Sequence, residues 1–381
     1  MKKRKSILFL TLIMFITVSV AFIPGCKESE KMQKPEIIKI GAILPLTGNL
    51  AFIGKLNKNG MDLAVEDINS RGGMENKKIQ VIYEDSKSSS AEGVSAINKL
   101  ITIDKINVII VSTTNIAIAC APVAEKSNII EIVMSPQPGI ATLGANIFRI
   151  FPNSRQEAEI LAKHISDKGI KKVALLNSQD DYGTACAESF ESHFKQYGGD
   201  IVSTESYTEG QQDLKPQILN IKHSAPESIV LFGFGRSYPA ILKQLKEQSM
   251  NLEIFGNLSF NNTPIKEISP EEIEGVVFTV PAFNLSQLQT EKNAKYIKKY
   301  LERYKNNPDH SSAYFYDAVV LLTEAINNSG NGVESIKEEL LKTKNFQGIT
   351  GNISIEPNGD SKTSIRLATY RDGKIELMTN K

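Results

Sequence analysis

The chain holds 381 residues, with 44 Lys+Arg against 43 Asp+Glu and a formal net charge of +1. That length allows roughly two or three domains, and the balanced charge excludes the basic footprint of a nucleic-acid-binding protein. The three cysteines, Cys26, Cys120 and Cys186, have no metal-ligand spacing.

Lys2, Lys3, Arg4 and Lys5 precede a mostly apolar run from Ile7 to Ile23, which closes on Gly25-Cys26. A basic end, an apolar middle and a small residue at the cut mark a secretory signal peptide over 1–25. The run is slightly short for a membrane anchor, since spanning takes about 20 apolar residues. Ile23-Pro24-Gly25-Cys26 resembles the lipobox of bacterial lipoproteins, with Ile23 where Leu is usual and Pro24 where a small residue is usual. That resemblance implies lipidation of Cys26, a polar tether over 26–35, and an extracytoplasmic protein anchored by lipid to a bacterial membrane. Removing the four basic residues ahead of Cys26 brings the net charge to about −3.

From Ile38 the pattern is βα. Ile38 to Leu44 is an almost continuous apolar run, which suits a parallel strand buried on both faces. Pro45 stops it, and apolar residues at the three-to-four spacing predict a helix to about Asn69, ended by Arg71-Gly72-Gly73. A strand at Ile79–Tyr83 completes the βαβ unit. The alternation predicts a helix over 91–103, a strand over 108–111 ending in Ser112-Thr113-Thr114-Asn115, a helix containing Pro122 and a strand over 129–134. Asn146 to Pro152 reads as an extended crossing.

A second α/β block follows. It is predicted to hold a helix over 155–168, a strand over 172–177, the loop Gln179-Asp180-Asp181-Tyr182-Gly183 and a helix to Tyr197. Strands over 200–203 and 228–232, a helix near 214–223 and the loop Gly233-Phe234-Gly235-Arg236-Ser237 come next. Val276 to Asn284 reads as a second crossing, followed by helices over 290–305, 311–327 and 333–342. The tail over 351–378 is predicted to be β, with a turn at Asn358-Gly359. Helices of this length between strands predict parallel sheets covered on both faces. Cys120 and Cys186 fall in helices far apart; one disulfide is open to them in an oxidising compartment, and two buried free thiols are the preferred reading.

No chemistry-bearing motif of an enzyme appears. His164, His193, His223 and His310 have no HxxxH or HExxH spacing. There is no G-x-S-x-G elbow, and Gly233-Phe234-Gly235 alone is not a phosphate-binding fingerprint.

Several segments together resemble one family: IKIGAILPLTG from Ile38, AVEDINSRGG from Ala64, YEDSKSS from Tyr83, INKLI from Ile97, APVAEK from Ala121 and Met134-Ser135-Pro136. They continue with DYG from Asp181, YDAVVLLTEAI from Tyr316, FQGITG from Phe346 and PNGD from Pro357. The chain resembles the type I periplasmic binding proteins of the branched-chain amino-acid (Leu/Ile/Val) class, the substrate-binding components of ABC importers. The resemblance implies an α/β fold of two lobes, each a parallel sheet sandwiched by helices, with three hinge crossings near 150–153, 279–283 and 347–351. Lobe one would hold 36–151 and 282–347, and lobe two 152–281 and 348–381. It also implies a monomer without cofactor or metal, a membrane permease as partner and hinge closure on a small amino acid or related carboxylate or amide. The same fold also serves as a ligand sensor or as a protein-partner lipoprotein regulating cell-wall synthesis.

The candidate ligand residues lie in loops after strand carboxyl ends. Ser112, Thr113 and Thr114 offer hydroxyls and N–H groups before a helix start, an arrangement that suits a carboxylate. Ser135 and Gln137 occupy the loop where the family grips an amino-acid head, but Pro138 lacks an N–H and the family's Thr is missing. By the same resemblance Tyr182 faces the ligand from lobe two, with Asp181 beside it. Arg236 offers a bidentate partner for a carboxylate, and Phe234, Phe52 and Ile53 are loop apolars suited to a pocket wall. The family's acid for the ligand ammonium has no counterpart in Gly256-Asn257-Leu258-Ser259, so Asp180 or Asp181 replaces it or the ligand has no α-ammonium.

Overall fold

A computed structural model describes residues 36–74, 77–261, 268–281, 283 and 290–378. The predicted signal peptide and tether, Cys26 included, lie outside the described residues. Among those described, no helix is long and apolar enough to cross a membrane.

The first sheet has five strands in the order β2-β1-β3-β4-β5, formed by β1 (Glu36–Leu44), β2 (Lys77–Asp85), β3 (Val108–Ser112), β4 (Ile130–Met134) and β5 (Ile147–Arg149). β1, β3, β4 and β5 run parallel. Alternate residues feed two cores. Ile38, Ile40, Ala42 and Leu44 meet α1 (Ala51–Ser70), α9 (Glu291–Tyr304), α10 (His310–Ser329) and α11 (Val333–Leu341) on one face. Ile43, Ile109, Val111 and Val133 meet α2 (Ser90–Thr102) and α3 (Thr114–Lys126) on the other. Both faces being dry, the strands carry the uninterrupted apolar runs read in the sequence.

The second sheet has seven strands in the order β15-β14-β10-β9-β8-β6-β7. Its parallel portion is β7 (Asp200–Tyr207), β6 (Lys172–Ser178), β8 (Ser228–Phe232), β9 (Glu253–Gly256) and β10 (Val277–Pro281). Two antiparallel strands, β14 (Ile365–Arg371) and β15 (Lys374–Leu377), extend its edge. α4 (Ser154–Asp167) and α5 (Asp181–Gln196) cover one face, while α6 (Lys215–His223) and α7 (Tyr238–Glu247) cover the other; the one-turn helix α8 (Pro270–Ile273) precedes β10. Cys120 and Cys186 are buried, and unpaired among the described residues.

The chain passes between the lobes after β5 and again after β10, where Phe283 already packs in lobe one's core. The third passage comes later than 347–351. β11 (Phe346–Gly348), β12 (Gly351–Ile355) and β13 (Ser361–Thr363) form a separate three-stranded sheet. Ile349, Ile353 and Ile355 are buried in lobe one's core. The segment from 348 to 363 therefore belongs with lobe one, and only β14 and β15 join lobe two.

Lobe one depends on a close helix crossing. A Cβ added to Gly60 of α1 would stand 1.9 Å from the backbone oxygen of Ser312 on α10. Gly60→Ala gains helix propensity but forces two packed helices apart, so a net loss of about 1–3 kcal/mol is expected. A drop in the urea midpoint at unchanged slope would register it.

Candidate functional site

β3 ends at Ser112, and Thr113 turns the chain into α3 with φ +71°. A β-branched residue in that region is strained by about 1–3 kcal/mol, and the strain sits at a helix start whose first N–H groups have no intrahelical partner. Ser112 Oγ accepts from Asn57 Nδ2 at 2.8 Å, and Ser311 Oγ donates to Asn57 Oδ1 at 2.6 Å. Thr114 Oγ1 lies 2.7 Å from Ser135 Oγ, which also accepts from the Gln137 N–H at 3.1 Å.

Lobe two faces this edge with the first turn of α5. Asp180 caps the helix, accepting from the Gly183 N–H at 2.9 Å. A Cβ at Gly183 would meet Ser178 Oγ at 2.3 Å, so only glycine lets the turn close on β6. Tyr182 is 3% exposed, its ring 4.9 Å from that of Phe234. The Phe234 loop is held by Glu209, which accepts from the N–H groups of Phe234 and Ser237 at 3.2 Å each. Where the resemblance calls for an acid, Asn257 Nδ2 donates to the Tyr182 hydroxyl and to Gly233 O, and Asn257 Oδ1 accepts from the Tyr238 hydroxyl at 2.8 Å.

Between the lobes lies an inner pocket of about 50 Å3, room for about four waters. Ser112, Thr113 and Thr114 line one side, and Tyr182, Phe234, Leu258 and Ser259 the other. Ile53, Met134, Pro136, Phe151 and Phe315 supply apolar wall, while Asn57, His310 and Ser311 supply a polar floor. None of these carries a carboxylate. Thr113, Thr114, Tyr182 and Phe234 also border an outer chamber of about 410 Å3, reached by Asp180, Asp181 and Glu209.

Six of the residues singled out in the sequence thus meet at the inner pocket: Ser112, Thr113, Thr114, Tyr182, Phe234 and Ile53. Asp181 stands at the outer chamber instead. Ser135 is fully buried behind Thr114, and Gln137 and Phe52 do not border either space. Arg236 reaches from lobe two toward Asn49 O of lobe one at 3.5 Å, outside the inner pocket. Asn57, Ser311, Phe151 and Phe315 lie on helices or a crossing and carry no loop signal, while His310, Leu258 and Ser259 stand in the sequence reading without a ligand role.

Behind Leu258 lies Glu157, fully buried at the start of α4. Its Oε2 accepts from the Leu258 N–H at 3.0 Å and the Thr279 hydroxyl at 2.5 Å, while Oε1 has no partner among the described residues. Burial pushes its pKa up to about 7 despite those two hydrogen bonds. Below about pH 4.5 the carboxyl is protonated folded or unfolded. Between about 4.5 and 7 the unfolded chain ionises first, so the native state loses about 3 kcal/mol over that window. Glu157→Gln keeps both accepted bonds and is expected to match the parent protein at pH 4 and exceed it at pH 8, read by urea midpoints at both values.

The profile of the periplasmic binding protein family matches residues 37–374. The chain belongs to that family. This binding protein is 27% identical over 346 residues to the Leu/Ile/Val-binding protein homolog 3 of Brucella melitensis, covering 89% of this chain and 92% of the relative. The branched-chain amino acid transporter substrate binding protein LivJ of Streptococcus pneumoniae, solved with isoleucine, superposes with a TM-score of 0.80 at 27% identity, over 90% of this chain and 99% of that one. An ABC transporter solute binding protein of Rhodopseudomonas palustris, solved with 3,4-dihydroxybenzoic acid, shares the fold at a TM-score of 0.80 and 24% identity, over 89% and 95% of the two chains. The binding protein thus has the two-lobed α/β architecture of its family, which is a solute-binding and extracytoplasmic one rather than an enzyme class.

Proposed function

We propose that the protein is the substrate-binding component of an ABC importer, held to the membrane by lipid on Cys26, and that it delivers a small carboxylate to a partner permease. The observation that carries this reading is the open start of α3 at the inner pocket, opposite the Tyr182–Phe234 pair. Free N–H groups and the positive dipole end receive the carboxylate, and the aromatic pair closes over the apolar body of the ligand. Isoleucine in the Streptococcus protein and dihydroxybenzoate in the Rhodopseudomonas protein both combine a carboxylate with an apolar body. An α-ammonium, where the ligand has one, turns toward Asp181 and Glu209 in the outer chamber.

A thermal-shift screen against amino acids, small carboxylates and small amides tests the proposal. A ligand that binds only the folded state contributes about 2.7 kcal/mol at a hundredfold excess over its dissociation constant. At least one carboxylate is expected to raise the melting temperature. Silence across the panel would favour a protein-partner role on the same fold.

A further inference from the structure

The apolar wall of the inner pocket gives way to a polar floor of Asn57, His310 and Ser311. Asn57 bridges Ser112 and Ser311, so the α3 terminus and the floor form one hydrogen-bonded chain. In that chain the Ser311 hydroxyl spends its proton on Asn57 and keeps lone pairs to accept with. The Ser112 hydroxyl accepts from Asn57 and keeps its proton to donate. Beside Ser311, the His310 ring lines the same pocket, 3% exposed and 6.4 Å from the ring of Phe151.

His310 Nδ1 is buried without a hydrogen-bond partner among the described residues. Burial lowers its pKa below the ordinary histidine value, opposed only by Asp309, so the ring is neutral near pH 7. A neutral imidazole has one donor and one acceptor nitrogen. A buried polar group left unpaired is costly, and a bound group that pairs it recovers that cost. The floor therefore offers donors and acceptors side by side, which matches a hydroxyl or a carboxamide and is wasted on a methyl group.

We infer that the ligand carries, beyond its carboxylate, a hydroxyl or carboxamide that hydrogen-bonds to His310 and Ser311, and that the protein prefers such a ligand to its aliphatic isostere. This rests on the reading that the inner pocket holds the ligand. A site built to hydrogen-bond a polar group rejects analogues lacking it far more strongly than an apolar pocket rejects an added hydroxyl.

The test is calorimetric titration of the purified full chain with isosteric pairs: asparagine against leucine, threonine against valine, and succinamate against 4-methylpentanoate. The polar member of at least one pair is expected to bind at least tenfold more tightly. His310→Phe and Ser311→Ala should each shrink that ratio at least threefold, while His310→Gln, which keeps hydrogen-bonding capacity, preserves it. If His310→Phe does not fold, Ser311→Ala carries the comparison. Aliphatic members binding as well as or better than their partners would overturn the inference while leaving the pocket reading intact. So would a ratio unmoved in His310→Phe and Ser311→Ala. Failure of every compound to bind would overturn both.

Discussion

Asp360→Ala is expected to destabilise the protein by about 3 kcal/mol, the low end of the ~3–5 kcal/mol lost when one partner of a buried ion pair is removed. Arg149 closes β5 and is fully buried. Its guanidinium pairs with Asp360 and donates to the carbonyl oxygens of Phe151 and, at 3.3 Å, Ser361. Asp360 keeps 18% side-chain exposure, which softens the loss. Removing the carboxylate leaves a cation in a dry site, where burial already pushes its pKa down and the Asp360 charge and hydrogen bond oppose that push. The discriminating measurement is the double variant Arg149→Leu/Asp360→Ala. With no charge left to strand, it is expected to unfold at higher urea than Asp360→Ala alone. A double variant weaker than the single would mean that packing of the arginine stem, not its charge, holds this junction.

The pair also ties two of the interlobe passages. Arg149 stands just before the first, and Asp360, through β13, just before the third. The Arg149 N–H donates to Gly359 O at 2.9 Å as well. The turn at 357–360 is therefore clamped to β5, and the ends from which the lobes hinge are fixed on the lobe-one side. A rigid root with motion confined to a few residues is the geometry of hinge closure.

The strands were legible because parallel strands dry on both faces are written as unbroken apolar runs, as in Val108–Val111 and Ser228–Phe232. β7 is longer than its apolar start suggests, reaching Tyr207, because Ser203 to Ser206 are partly buried or exposed and carry no apolar pattern. The lobe to which β11–β13 belong was not legible. These strands are three to five residues long, and only the burial of Ile349, Ile353 and Ile355 in one core decides it.

At the site, loops after strands could be read, since the α/β topology puts them at one edge. Side chains presented by helix faces could not. Ile53 lines the pocket and Phe52 does not, because one residue along a helix turns the side chain by about 100°. Asn57, one turn further along α1, shares the Ile53 face. His310 and Ser311 are brought in by the start of α10, some 200 residues beyond the α3 loop. Among the acids, Asp180 is spent on capping α5, which leaves Asp181 and Glu209 as the carboxylates nearest the cleft mouth that are not helix caps.

Tyr182→Ala is expected to weaken ligand binding by a hundredfold or more, about 2.7 kcal/mol. The ring forms the lobe-two wall of the inner pocket, and its neighbour Phe234 lies 4.9 Å away. Losing it opens the inner pocket to the outer chamber, which Tyr182 also borders, and admits water to the carboxylate site proposed at Thr113 and Thr114. Tyr182→Phe separates the ring from its hydroxyl. That hydroxyl meets Asn257, which keeps Tyr238 and Gly233 as partners, so Tyr182→Phe should stay within a few-fold of the parent protein. Titration of both variants with a compound that raises the parent's melting temperature checks the pair of expectations. Affinity lost in both variants would assign the decisive contact to the hydroxyl and to Asn257, and full affinity in Tyr182→Ala would place the ligand outside this cleft.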